Sequence, residues 1–284
     1  MSENTAIAGI DTLAQAKDTV AHGGGQESDW IMHHILNGKE LDFQPFGIIH
    51  LPELHFFGYD LLSKHSVFMV LIAAVLIFLL IKTANSYKKS LVPKGMTNFF
   101  EVLILFVRDE IAKPTIGKGY EKFVPYLLTA FFFILFSNFF GLIPFSTTVT
   151  SNITVTATLA IMSFFMIQIG GIRKNGAFGY FKGLIPHGIP IPLLAIMIPV
   201  EILGLFTKPF ALALRLFANM TAGHIVIYAL FSLIFISKSW GLAGFSFFLA
   251  LFVFFLEILV ALLQAYIFTM LSSLFIGMAV HQDH

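Results

Sequence analysis

The chain contains no cysteine. That removes disulfides, thiolate nucleophiles and cysteine-ligated metals from consideration. Charge is nearly as scarce. Asp, Glu, Lys and Arg make up 12% of the 284 residues, against about 25% in a soluble domain. The net charge of +1 gives no bulk attraction toward nucleic acid. No HExxH, GxSxG or P-loop pattern occurs, which leaves metal hydrolysis, serine hydrolysis and P-loop nucleotide binding without support. What is abundant is apolar surface: 57% of the residues are hydrophobic and 34 are phenylalanine. This composition is that of an all-α polytopic membrane protein. The first thirty residues lack a basic stretch followed by an apolar run, so no cleavable signal is expected and the first transmembrane helix serves for insertion.

Hydropathy divides the chain into a polar tail, residues 1–60, and a single membrane domain, residues 61–284. The tail carries nine acids and three consecutive glycines, Gly23 to Gly25. Within it, Asp29 to Leu36 is expected as a short interfacial helix with Trp30 at headgroup depth. His33 and His34 are adjacent, diverge by about 100° on a helix and have no third ligand, so no metal site is expected there. Five membrane helices are predicted at 66–83, 123–143, 152–172, 193–236 and 242–280. An amphipathic segment at 96–111 is predicted to lie in the interface plane, with Phe99, Phe100, Leu103, Phe106 and Val107 on one side. The connection at 82–122 has eight Lys or Arg and that at 173–182 has three, whereas 144–151 has none and 237–241 only Lys238. By the positive-inside rule the tail lies outside and the C-terminus inside.

The last two helices are too long. At 1.5 Å per residue they measure about 66 and 58 Å, against a hydrocarbon core of about 30 Å. Lys208-Pro209 is the strongest breaker in the first, and a proline kinks a membrane helix without ending it. The expectation is a long, steeply tilted hairpin turning at Ser237 to Gly241.

Two charges in this hairpin stand in otherwise bilayer-grade sequence: Arg215 and Glu257. Each costs about 2.5–3.5 kcal/mol at the bilayer centre on insertion scales. Such residues mark ion paths or counter-ion sites, the plain alternative being a side chain that snorkels from a helix end. Residues seven apart fall within about 20° on a helix, so Glu201, Lys208 and Arg215 form one stripe, with Asn219 close to the same face. Glu257 and Gln264 share a face of the last helix by the same spacing. His224 lies about half a turn round from Arg215 and ~13.5 Å further along. Antiparallel pairing would bring His224 and Glu257 to similar depth. An imidazole facing a carboxylate is either a proton relay or a polar pair that glues two helices. Together these residues make two polar half-paths, His224, Asn219, Glu257 and Gln264 toward the outside and Glu201 and Lys208 toward the inside. Between them stands a cation that does not lose its proton. Nothing near Arg215 in sequence balances it, so a carboxylate on another chain is expected beside it.

At this point the residues resemble a known family. Ala213-Leu-Arg-Leu-Phe-Ala-Asn-Met-Thr-Ala-Gly223, then Glu257 and Leu263-Gln-Ala-Tyr-Ile-Phe268, closely resemble subunit a of the F-type rotary ATP synthases. Asn138-Phe-Phe-Gly-Leu-Ile-Pro144, Pro199-Val-Glu201 and Lys208-Pro209 match that family as well. The resemblance spans about residues 60–280. It implies a proton-channel stator subunit, non-catalytic for ATP by itself, that faces a ring of c subunits and joins peripheral-stalk b subunits and the other subunits of the synthase. It implies residence in a bacterial inner membrane and no cofactor. Arg215 then resembles the essential arginine, Asn219, His224, Glu257 and Gln264 the outer half-channel, and Glu201 the acid of the inner one. Many bacterial relatives have the acid and histidine exchanged relative to His224 and Glu257, and many carry aspartate where this chain has Gly141, so no channel role is carried onto Gly141. A secondary transporter, the principal rival, would show repeated halves, and residues 60–170 and 190–280 share no such symmetry. The coupling ion and ring size are not written in this chain.

Overall fold

The computed structural model describes residues 40–42, 48–50, 55–56, 59–60, 63–87, 94–143, 148–183, 191–236 and 240–281. The helix expected at 29–36, the His33–His34 pair, residues 144–147 of the uncharged 144–151 loop and the centre of the 237–241 turn lie outside them.

Two short antiparallel ladders precede the helices. β1 (Glu40–Asp42) pairs with β2 (Ile48–His50), Glu40 opposite His50. β3 (His55–Phe56) pairs with β4 (Tyr59–Asp60). Strands of two or three residues are too short to leave an alternation pattern, so the sequence predicts no structure in this stretch. The rest is helical. Among the described residues five helices are long and apolar enough to cross a bilayer: α1 (Lys64–Tyr87), α4 (Val124–Gly141), α5 (Ile153–Asn175), α7 (Ile191–Ile236) and α8 (Trp240–Val280). Between α1 and α4 run α2 (Met96–Leu105), a π-helical turn at Phe106–Ala112 and α3 (Lys113–Ile116). A short helix, α6 (Ala177–Gly183), follows α5 in a stretch that reads in the sequence as a connection.

Local chemistry sets these boundaries. Pro125 occupies the first turn of α4, where its missing N–H costs nothing. Asn152 caps α5, its side chain accepting from the Thr154 N–H at 2.9 Å, and Arg173 and Lys174 sit in the last turn, where cations complement the helix dipole. α5 stops at Gly176, whose φ is +73°, a region glycine enters freely.

The segment from Met96 to Ile116 does not divide into one buried and one wet face. Phe100, Val107 and Ile111 point into the bundle, where Phe100 stacks on Phe136 at 6.3 Å. Phe99, Val102 and Phe106 are exposed. Helical spacing alone predicts Phe99, Phe100, Leu103, Phe106 and Val107 on one side. Here the segment packs against α4 with one side and presents a second apolar side outward.

α7 and α8 run to 46 and 41 residues, or about 69 and 62 Å. Pro199 and Pro209 lie inside α7 without ending it. The two helices are antiparallel. Lys208 meets Phe275 and Asn219 meets Gln264, so eleven residues along one helix match eleven back along the other. The remaining helices close on α8 through small and hydroxylated residues, as membrane helices do in the absence of a hydrophobic drive between them. Ser163 donates to Ser272 at 2.9 Å. Thr115 and Ser273 hydroxyls lie 2.5 Å apart. A Cβ on Gly277 would lie 2.1 Å from the Thr115 carbonyl oxygen. The α8 backbone thus touches α3 directly, and only glycine permits it.

Candidate functional site

The polar residues singled out in the sequence fall into three groups along the α7–α8 hairpin. The first is centred on His224. Its Nδ1 lies 2.5 Å from Glu257 Oε1. The Glu257 carboxylate is 4% exposed and the His224 side chain 13%. On the other edge of the ring, Nε2 lies 2.5 Å from Thr148 Oγ1 and 3.1 Å from the Gly141 carbonyl. The imidazole therefore has a partner for each protonation state. When doubly protonated it donates to Glu257 on one side and to the Gly141 carbonyl on the other. When Nε2 is bare, the Thr148 hydroxyl turns and donates to it. Gly223, one residue before His224, makes room: a Cβ there would sit 2.7 Å from Glu257 Oε1.

From Thr148 the polar chain continues toward α1. Ser151 Oγ donates to the Thr148 carbonyl at 2.7 Å and lies 3.5 Å from His65 Nε2. Deeper, Thr150 donates to Asn138 Oδ1 at 2.7 Å while Asn138 Nδ2 donates to the Ala261 carbonyl at 3.2 Å, both side chains fully buried. One turn further along α7, exposed Asn219 donates to buried Gln264 at 2.9 Å. His224, Glu257, Asn219 and Gln264 are thus two bonded pairs that cross the same helix interface.

The second group is Arg215 alone. It is exposed, and no hydrogen bond or ion pair ties it to another described residue. It lies between the Lys208–Phe275 and Asn219–Gln264 contacts, on a face of α7 where Thr207, Ala211, Leu214, Ala218, Ala222, Ile225 and Ala229 are also exposed. Four alanines on this face allow another backbone to approach closely.

The third group is toward the other end. Lys208 is half-buried, its Nζ 5.4 Å from the Phe275 ring centroid. Glu201 is half-buried. These two are not joined to each other, and neither is joined to Arg215, so the stripe read from sevenfold spacing is a shared direction and not a bonded chain.

Sequence reasoning missed Thr148, Thr150 and the contact of the Gly141 carbonyl with His224. Gly141 carries no side chain, yet its carbonyl reaches His224. A Cβ there would meet Thr148 Oγ1 at close range, so glycine is what lets Thr148 stand against the imidazole. The uncharged loop after α4 offered no signal for these contacts. The run of alanines within the Arg215 motif did, since its spacing of three and four is visible in the sequence.

The family model described as ATP synthase A chain matches residues 67–277. ATP synthase subunit a of Chloroherpeton thalassium is 53% identical over 258 residues, covering 89% of this chain and 77% of the relative. ATP synthase subunit a 2 of Chlorobaculum tepidum is 49% identical, covering 90% of this chain and 74% of the relative. ATP synthase subunit a 2 of Prosthecochloris aestuarii is also 49% identical, with 94% and 85% covered.

Proposed function

The chain belongs to the family of ATP synthase A chains, integral membrane components of that enzyme, and we propose that it is the stator wall along which protons reach and leave a ring of c subunits. The carrying observation is Arg215: a permanent cation, exposed and unpaired among the described residues, on the alanine-lined face of an apolar helix. Leaving it there against lipid would cost about 2.5–3.5 kcal/mol or more. A carboxylate brought to it by another chain removes that cost and is itself ionised by the arginine.

Protons enter from the outer side by Thr148 and the His224–Glu257 pair, pass the Asn219–Gln264 pair and neutralise a c-subunit carboxylate. The neutral carboxylate travels through lipid as the ring turns. It returns on the other side of Arg215, ionises, and releases its proton to the inner path at Glu201 and Lys208. Arg215 blocks a direct leak because it does not release its proton. Flow is thereby coupled to rotation and ATP synthesis on the other subunits. In this reading residues 1–60 are an outer tail, residues 61–284 one membrane domain, the N-terminus faces outward and the C-terminus the cytoplasm of a bacterial inner membrane. Peripheral-stalk b subunits hold the chain still.

The absence of native cysteine allows a direct test. Single cysteines at Ala211, Leu214, Ala218 and Ala222 should cross-link oxidatively to a cysteine placed beside the carboxylate of a co-purifying two-helix proteolipid. Cysteines at Val70 and Phe78, exposed on α1, should not. Cross-links from α1 and none from α7 would reject the assignment.

A further inference from the structure

α4 grips its neighbours at two points one turn apart. At Gly141 it offers a carbonyl to His224 Nε2 of α7, 3.1 Å away, and leaves room where a Cβ would run into the Thr148 side chain. Three residues earlier, on the same side of the helix, Asn138 uses both ends of its amide. Its Nδ2 donates to the Ala261 carbonyl of α8 at 3.2 Å, and its Oδ1 accepts from the Thr150 hydroxyl at 2.7 Å. A carbonyl only accepts, so the amide has one orientation and Thr150 must be the donor. Asn138 and Thr150 are both fully buried, so a bond lost here is not remade with bulk water. Ala261 lies four residues beyond Glu257 and shares its face of α8. Thr150 in turn belongs to a single 3₁₀ turn, Val149–Ser151, entered from Thr148. The Ser151 N–H and hydroxyl both donate to the Thr148 carbonyl, at 3.1 and 2.7 Å. Fixing Thr150 therefore fixes Thr148, whose Oγ1 lies 2.5 Å from His224 Nε2.

We propose that Thr150 is a positioning residue for the proton path: its bond to Asn138 holds the Thr148 hydroxyl at hydrogen-bond distance from His224. This rests on the entry of protons by Thr148 proposed above. In that step the Thr148 hydroxyl gives its proton to a bare Nε2 and takes another from the path behind it. Only O–H and N–H bonds change, and the threonine ends neutral. The one proton of the Thr150 hydroxyl is committed to Asn138, so Thr150 holds and does not relay. The imidazole stands between Glu257 of α8 and Thr148 of the turn, and Asn138 ties that turn to the same face of α8. Once Thr150 lets go, the turn swings Thr148 off the imidazole and the transfer has to cross a gap.

The test is passive proton conduction through the membrane sector in vesicles stripped of the soluble ATPase subunits, with Thr148→Val, Thr150→Val, Thr150→Ser and the double variant Thr148→Val with Thr150→Val. Valine keeps the branched shape and removes the hydroxyl. A side chain placed to move a proton contributes roughly 10²-fold or more, and water replaces part of a lost hydroxyl. Thr148→Val should then lower conduction about 10-fold and Thr150→Val about 3-fold to 10-fold. Thr150→Ser still donates to Asn138 and should conduct near the wild-type rate. The double variant should be no slower than Thr148→Val, because Thr150 then has nothing left to position, whereas independent faults multiply. Wild-type conduction in Thr150→Val beside a slow Thr148→Val overturns the proposal and leaves the outer path standing. Wild-type conduction in Thr148→Val overturns entry by Thr148 and the proposal with it. Thr150→Ser as slow as Thr150→Val, or multiplied losses in the double variant, also overturns it. Should Thr150→Val fail to assemble, Asn138→Leu with Thr150→Val removes both polar partners at once, which is milder for a fold. A matching loss that does not deepen when Thr148→Val is added supports the proposal, and wild-type conduction or a deeper loss refutes it.

Discussion

His224 meets Glu257 on one ring nitrogen and Thr148 or the Gly141 carbonyl on the other. The spacing of His224 and Glu257 about the hairpin turn made that pair legible, because antiparallel helices match residues at equal distances from their turn. Thr148 was not legible, since a threonine in an uncharged loop reads the same whether it faces lipid, water or an imidazole. His224→Ala and Glu257→Ala should each slow proton flux without preventing insertion. The double exchange His224→Glu with Glu257→His should conduct better than either single exchange, measured as gradient-driven ATP synthesis in vesicles. A double exchange as inactive as the worse single variant would show that the two do not act as a pair.

At the scale of elements, the five long apolar helices followed from hydropathy, while the short α6 and what locks the helices together did not. One close contact is Gly277 against Thr115, where a Cβ would run into a backbone oxygen. A sequence shows a glycine in an apolar run but not the backbone that approaches it. Gly277→Ala should push α8 off α3 and cost about 1–3 kcal/mol, as overpacking does. The expected readout is a lower unfolding midpoint in detergent, with Ser273→Ala, which only removes the hydroxyl contact to Thr115, costing less. Equal midpoints for Gly277→Ala and the wild type would show that the contact is looser than the structure has it. The split of the Phe99–Val107 segment into inward and outward apolar faces was likewise hidden, because helical spacing gives directions and not the partners on each side.

For the molecule as a whole, the hairpin is the unusual feature. Helices of about 69 and 62 Å fit a core of about 30 Å only if tilted near 60° or if part of each emerges into water. Emergence is limited for α8, whose only charged residue is Glu257. Ordinary membrane helices tilt by roughly 20°. The steep angle is expected because a wall that follows a curved ring must lie across it, and imaging of the complex in a bilayer measures it. Both helices standing within about 30° of the membrane normal would contradict this arrangement.

Arg215 bears the central claim most directly, and the deciding measurement is ATP synthesis by inverted vesicles under an imposed proton gradient, with passive leak read in the same preparation. Arg215→Ala should insert normally, make no ATP and leak protons at the wild-type rate or faster, since the divider between the two half-paths is gone. Near-normal ATP synthesis by Arg215→Ala would contradict the account.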